Sequence, residues 1–205
     1  MIAIIDYGVG NLRSVEKAFA YLGYQALVTS DPKIVREADG VVLPGVGAFG
    51  KSMEYLNRAG MVPVVKEVIA SGRPFLGICL GLQMLFEESA EVFGPETAWV
   101  KGLGIIPGQV LRFNTQRLKV PQIGWNRIKI IKDTPLLYGI ENESFVYFVH
   151  SYYVKPANPE LVACTTNYEI DYCSGISQGN LHAFQFHPEK SSGVGLKILK
   201  NFAEL

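Results

Sequence analysis

The strongest constraint on the fold is the alternation of short apolar runs with segments of helical periodicity through the first half of the chain. Residues 1–5 read as a buried strand, 11–22 as a helix with Asn11 placed to cap it, and 24–28 and 40–43 as further strands. Residues 61–70 have helical spacing and stop at Ser71-Gly72. Residues 74–78 form another apolar run, leading directly into a helical 80–88. Uniformly apolar strands separated by helices pair in parallel and are covered on both faces. The second half changes character: 109–113, 126–131, 146–153, 161–165 and 181–186 are strand-like with short links, and 193–203 closes as a helix. The expected architecture is α/β and flavodoxin-like. One domain spans 1–205, with a mostly parallel central sheet flanked by helices and an antiparallel extension.

Composition narrows the partners. With 48% hydrophobic residues the chain can bury a substantial core, which excludes disordered and collagen-like classes. Lys plus Arg equals Asp plus Glu at 19 each, so the global positive field used by nucleic-acid and acidic-membrane binders is missing. Small molecules or another protein are the expected partners, with no nucleic acid and no membrane. Cys79, Cys164 and Cys173 are an odd set without CxxC spacing, which implies free thiols in a reducing compartment and no zinc ribbon. No metal or cofactor is called for. The first residues carry no basic segment before Asp6, and the longest apolar stretch, 74–86, is interrupted by Gly77, Gly81 and Gln83. Such a stretch is too short to span a bilayer, and a soluble cytoplasmic protein is expected.

The chemistry centres on Gly77-Ile78-Cys79-Leu80-Gly81, at the junction of an apolar strand and a helix. This is the G-x-nucleophile-x-G elbow with Cys in the nucleophile's place. Its glycines permit a tight turn, and the following helix aims its N–H groups and positive end at the sulfur. A lone Cys is otherwise most often a small buried hydrophobe, and Cys164 and Cys173 have no such frame. A thiol nucleophile needs a base. His187 ends the apolar run 181–186 and is followed by Pro188-Glu189. On extended backbone, residues two apart face the same way, so Glu189 can orient the imidazole as the third member of a triad. His150 is the rival base but has no acid within three residues, and His182 lies on the opposite strand face.

Residues Gly45-Val46-Gly47-Ala48-Phe49-Gly50-Lys51-Ser52 satisfy the phosphate-cradling pattern G-x-x-x-x-G-K-[ST]. No apolar run ending in Asp follows to hold magnesium, and Glu67, near the dinucleotide spacing, falls in the middle of a helix. The same glycines have another use. Pro44-Gly45-Val46-Gly47 ends a neighbouring strand, so its N–H groups can join that of Leu80 in an oxyanion hole. Gly45 and Gly47 would also let the peptide between them turn over, since glycine accepts either sign of φ.

Taken in order, Asp6-Tyr7-Gly8-Val9-Gly10-Asn11, Pro44-Gly45-Val46-Gly47-Ala48-Phe49, the cysteine elbow with Gln83, Gly124-Trp125-Asn126 and His187-Pro188-Glu189-Lys190-Ser191 carry a resemblance. The chain resembles the triad-class glutamine amidotransferases, and among them the glutaminase subunits of imidazole glycerol phosphate synthases, from Ile2 to the C-terminal helix. Elbow and His-Pro-Glu are class-wide; the 6–11 opening, Gly-Trp-Asn and Lys190-Ser191 point to the histidine pathway. The resemblance implies that Cys79 attacks the glutamine side-chain amide, with His187 moving the proton and Glu189 orienting it. It implies an oxyanion hole at Val46, Gly47 and Leu80, and glutamine contacts from Gly45, Gln83, Glu91 and the backbone of Ser151 and Tyr152. Partner contacts are implied at Asn11, Tyr147 and Lys190. The implied partner is a (β/α)8-barrel cyclase in a heterodimer, an expectation that length supports because one hydrolase-like domain uses up the 205 residues. Where many relatives carry His two residues before Gly-Trp-Asn, this chain has Gln122. Two other functions stay open: a sister amidotransferase of chorismate-type chemistry, which should lack the 6–11 opening, and a non-catalytic regulatory subunit, which would not need an intact triad.

Overall fold

The computed structural model describes residues 1–92 and 99–205. In chain order the first half runs β1 (Ile2–Ile5), α1 (Leu12–Tyr21), β2 (Ala26–Thr29), α2 (Pro32–Glu37), β3 (Gly40–Gly45), α3 (Phe49–Arg58), α4 (Met61–Ala70), β4 (Phe75–Cys79) and α5 (Leu80–Met84). The second half runs β5 (Phe86–Ser89), β6 (Val100–Lys101), β7 (Ile106–Arg112), β8 (Gln122–Arg127), β9 (Lys129–Ile130), β10 (Phe145–His150), β11 (Tyr152–Pro156), β12 (Val162–Tyr168), β13 (Ile170–Gln178), β14 (Leu181–Phe184) and α6 (Ser192–Ala203).

The apolar runs form the parallel part of the main sheet, in the order β2-β1-β3-β4-β14. Residues of β1, β3, β4 and β14 enter two separate cores, whereas the edge strand β2 packs on one side only. Ala3, Ile5, Val41 and Leu43 pack on one face; Ile2, Ile4, Val42 and Leu76 pack on the other. Burial on both faces is why these strands read as continuous hydrophobic runs. Beyond β14 the sheet continues through β13, β11 and β7 in antiparallel pairing, which is the expected extension. A separate two-stranded sheet pairs β8 with β10. Its even-numbered residues, among them Gln122, Val146, Phe148 and His150, face inward; Ile123, Trp125 and Phe145 face solvent.

Several local expectations need correction. The helix expected over 80–88 stops at Met84, and Phe86–Ser89 turns into a strand parallel to β7. Phe86 and Ser89 are buried there, so tertiary pairing overrides the helical spacing. Residues 146–153 divide at Ser151 into β10 and β11, which join different sheets. Helices α2 and α3 and strand β13 were not foreseen, although Asp31 before Pro32 is a legible start signal: its carboxylate accepts from Lys33 N at 2.8 Å. Asn11 stands at the N-terminal boundary of α1, but its side chain makes no capping bond.

Candidate active site

Three parallel strands bring the chemistry together, because β3, β4 and β14 all end at the same edge of the sheet. Gly45 is opposite Cys79, and Phe184 opposite Ile78, so the residues after β14 continue alongside the cysteine. Ligand crevices in α/β sheets form at such carboxyl ends. A cavity of about 300 Å³ opens here, lined by Val46, Gly47, Cys79, Leu80, Gln83 and Glu91 from one side. Val149, His150, Ser151, Tyr152 and His187 line the other. Every catalytic, oxyanion and substrate-contact candidate named from the sequence lies in this wall except Glu189, which stands behind His187, and Gly45, which lies beneath Leu80.

Cys79 is at φ 55°, ψ −109°, a conformation that L-residues rarely adopt. The strain belongs to the cysteine itself, and this revises the part expected of the elbow glycines. Gly77, Gly81 and Gly45 have no positive φ; they are needed for close approach. A Cβ on Gly81 would run into the Leu43 carbonyl, and one on Gly45 would stand 2.8 Å from Leu80 Cβ and 2.9 Å from Gly81 N. Of the two glycines flanking Val46, only Gly47 uses its conformational freedom, at φ 88°. Below them, Tyr7 Oη donates to the Pro44 carbonyl at 3.0 Å and pins the end of β3. In the phosphate-loop pattern the first N–H of α3, on Phe49, is taken by the Glu91 carboxylate at 2.8 Å.

His187 Nδ1 meets Glu189 Oε1 at 2.8 Å, and the two side chains are 2% and 1% exposed. The pair forms across a 3-10 turn at Pro188–Lys190, not along the extended backbone expected from the sequence. A carboxylate can only accept, so Nδ1 carries the hydrogen and Nε2 is directed to the cavity side. In this geometry Nε2 makes no hydrogen bond, yet Cys79 lies near enough to affect the ring's titration. Burial disfavours the charged ring, but the Cys79 sulfur and the Glu189 carboxylate outweigh it and lift His187 to about 10. Glu189 Oε1 also receives Asn11 Nδ2 at 3.4 Å. The Asn11 amide hydrogens thus serve the site, while its Oδ1, the atom a cap would need, accepts from Ser14 Oγ at 2.8 Å and not from a backbone N–H of α1. Ser191 Oγ donates to the His187 carbonyl at 2.6 Å and accepts from Tyr147 N at 3.0 Å, while His187 N donates to the Tyr147 carbonyl at 3.0 Å. Tyr147 and Lys190, the latter with its Nζ 5.9 Å from the Tyr147 ring centre, are thus tied to the histidine's backbone.

The rival histidines are otherwise engaged. His150 bonds the Tyr152 carbonyl through Nδ1 at 2.8 Å and the Tyr172 hydroxyl through Nε2 at 3.2 Å; burial pushes it down to about 4. His182 sits against Ser177, away from the cavity wall, and burial likewise takes it down to about 4. Gln122 extends the His150 network, with the Tyr172 hydroxyl 2.9 Å from its Oε1 and Asn126 Oδ1 2.9 Å from its Nε2.

On the cavity wall, burial raises the Glu91 carboxyl above its ordinary value, only partly offset by Phe49 N. Gln83 gives its amide hydrogens to the Tyr152 carbonyl at 2.9 Å and to Gln185 Oε1 at 3.0 Å. Sequence reasoning overlooked Gln185, whose Nε2 lies 3.7 Å from Cys79 Sγ. The available signal was an amide in the middle of the apolar run Phe184-Gln185-Phe186, two residues before His187 and so on the same strand face.

Residues 3–205 match the family described as Glutamine amidotransferase class-I. The chain is 52% identical to imidazole glycerol phosphate synthase subunit HisH of Syntrophotalea carbinolica over 211 residues, with both chains covered completely. It is also 52% identical to the same subunit of Methanothermobacter thermautotrophicus, with 100% of this chain and 98% of that protein covered. Among solved structures, PurLQS from Thermotoga maritima superposes with a TM-score of 0.76 at 16% identity, covering 99% of this chain and 97% of the other. At that identity the likeness speaks to the fold alone. The chain belongs to the class-I glutamine amidotransferase family and, within it, to the imidazole glycerol phosphate synthase HisH subunits.

Proposed function

We propose that this protein hydrolyses L-glutamine to glutamate and ammonia through a thioester on Cys79, and passes the ammonia to a cyclase on a separate polypeptide. The observation that carries this reading is the buried His187–Glu189 pair beside a strained cysteine, with Cys79 and His187 both lining one cavity. Cys79 Sγ, as thiolate, adds to the side-chain carbonyl carbon of glutamine. The resulting oxyanion takes backbone N–H groups from Leu80 and the Val46–Gly47 segment, each such donor worth about 10²–10³ in rate. His187, held as an imidazolium, gives its Nε2 proton to the departing nitrogen, which leaves as ammonia, and the C–N bond breaks as the thioester forms. Water then adds to the thioester with His187 taking its proton. The C–S bond breaks, glutamate leaves, and the thiolate–imidazolium pair is restored. Glu91 suits the substrate's ammonium group, and the Ser151–Tyr152 backbone suits its carboxylate end.

The relatives' identity as HisH subunits supports placing this chain as the glutaminase subunit of imidazole glycerol phosphate synthase in histidine biosynthesis. In this reading the partner is a (β/α)8-barrel cyclase in a heterodimer, and the products are imidazole glycerol phosphate and aminoimidazole carboxamide ribotide. The exposed face of the β8–β10 sheet, with Ile123, Trp125 and Phe145, favours a docking partner, and Tyr147 on the same face is bonded to His187. No helix among the described residues is long and apolar enough to cross a membrane, and we place the protein in the cytoplasm with its pathway.

The test is Cys79→Ala in the assembled synthase. Glutamine-dependent product formation should vanish while formation from added ammonium salt at raised pH persists. Residual glutamine turnover above a trace, or an equal loss on Cys164→Ala, would overturn the assignment.

A further inference from the structure

One residue between the end of β14 and His187 is out of keeping with its surroundings. Gln185 lies between Phe184 and Phe186, and its side chain is completely buried. Burying a primary amide among phenylalanines is unfavourable unless its hydrogens and its oxygen are used. The register of β14 on β4, with Phe184 opposite Ile78, delivers the next residue to the side of Cys79. There the Gln185 amide stands 3.7 Å from Sγ.

An amide can be turned end for end, so the identity of the atom facing the sulfur needs its own argument. The backbone provides it. The Tyr152 carbonyl can only accept, so the end of Gln83 that lies 2.9 Å from it is the NH2. That same NH2 lies 3.0 Å from Gln185, so the Gln185 atom at that contact is the carbonyl oxygen. The opposite end, facing Cys79, is therefore the NH2. The chain of amides runs in one direction, from a fixed backbone carbonyl to the nucleophile, and it ends on a donor.

We propose that Gln185 is a catalytic residue that hydrogen-bonds the Cys79 sulfur and favours its thiolate. A neutral thiol sulfur is a weak acceptor, whereas hydrogen bonds to ionised groups are roughly twice as strong as neutral ones, so the donor favours the anion selectively. An amide cannot take the thiol's proton and leaves that task to His187. Its carbonyl also fixes Gln83 in the cavity wall, tying the nucleophile to the surface that meets the substrate. The inference rests on the glutaminase reading only in taking Cys79 as the nucleophile.

The experiment measures alkylation of Cys79 by iodoacetamide against pH, followed by mass spectrometry of its peptide, in the wild-type full chain and in Gln185→Met and Gln185→Asn. Met removes the donor while keeping the length. Asn keeps an amide but withdraws it by one methylene, and it serves if the Met variant does not fold. Either variant should have the rising limb moved up by about one pH unit, alkylating about tenfold more slowly at pH values on that limb, with the alkaline plateau unchanged. A merely structural residue would lower the plateau and leave the limb in place. Wild-type pH profiles in the folded variants overturn the role of Gln185 and leave the glutaminase reading standing. Wild-type Cys79 no more reactive than buried Cys164 and Cys173 would instead count against Cys79 as the nucleophile.

Discussion

Replacing Glu189 by Gln separates the two services a carboxylate can give to a catalytic histidine. In the wild-type site both neighbours of Glu189 Oε1 are donors, His187 Nδ1 at 2.8 Å and Asn11 Nδ2 at 3.4 Å. They select the carbonyl end of an introduced amide, so Glu189→Gln keeps an acceptor in place, and with it the ring orientation and the Nδ1–H tautomer. What disappears is the charge. A hydrogen bond to a charged group contributes about 1.5–3 kcal/mol against about 0.5–1.5 kcal/mol for a neutral pair. The difference of about 1–1.5 kcal/mol corresponds to roughly a 5–15-fold fall in kcat. KM should change little, since Glu189 lies behind His187 and outside the cavity wall.

The pH profile carries the sign of the effect. The Glu189 carboxylate is one of the two groups that hold His187 at about 10, so losing its charge lowers that value. The imidazolium needed to protonate the leaving nitrogen is then lost earlier as pH rises, and the alkaline limb should retreat by about one pH unit. Glutamine hydrolysis by the assembled synthase, followed from neutral to alkaline pH, measures both quantities. A fall near 10⁴ would mean that the tautomer was lost and that the two donors do not select the carbonyl end. An unchanged rate and profile would reduce Glu189 to a buried acceptor.

Two further outcomes follow from the geometry. Gly45→Ala would place a Cβ 2.8–2.9 Å from Leu80 Cβ, Gly81 N and Tyr7 Oη, so it should cost about 1–3 kcal/mol of stability, read as a lower urea midpoint together with loss of glutaminase activity; an unshifted midpoint contradicts the packing. Lys190→Ala removes the ammonium near the Tyr147 ring, on the segment bonded to His187, and should reduce stimulation by the cyclase more than basal turnover; equal losses would sever Lys190 from the partner's signal.

Much of this site was legible in the sequence because its chemistry is local. The elbow is five consecutive residues, and Glu189 follows His187 by only two, so the pairing was legible even though the extended backbone expected of it holds at His187 alone and Pro188–Lys190 makes a 3-10 turn. Gly45 to Gly47 lie far from the cysteine in sequence, yet parallel pairing of consecutive apolar strands is enough to place them beside it. What was illegible depended on tertiary choices. The 80–88 segment has helical spacing, but Phe86 gains more by pairing with Ile106 and filling the core than by another helical turn. Asn11 has a capping residue's identity and position, but Ser14 Oγ takes its oxygen and Glu189 accepts from its amide nitrogen. Gln185 went unremarked within an apolar run because its partners, Gln83 and Cys79, come from another part of the chain. At all three places a local preference gives way, and the last two lie in the catalytic cavity's immediate surroundings, where departures from local rules are expected.

The cysteine's own backbone is the sharpest such departure. At φ 55° and ψ −109° Cys79 occupies a region that is essentially glycine's, at a cost near the upper end of the 1–3 kcal/mol range, about 3 kcal/mol. The surroundings impose it: Gly77 and Gly81 let β4 and α5 close on Ala183 and the Leu43 carbonyl, and the turn between them has no other course. The strain should be visible by comparing two inactive variants. Cys79→Ala keeps a Cβ and therefore the strain, whereas Cys79→Gly releases it. Against that release stand about 0.5–1 kcal/mol for glycine's extra unfolded-state freedom and about 0.8 kcal/mol for the lost buried methyl. The balance leaves Cys79→Gly more stable than Cys79→Ala by about 1 kcal/mol, a difference of roughly 2–4 °C in Tm for a chain of this length. Urea and thermal unfolding of the two variants side by side measure it. At most positions glycine is the less stable choice, so finding the alanine variant equal or superior would show that the turn relaxes without the sulfur and that the nucleophile carries no stored strain.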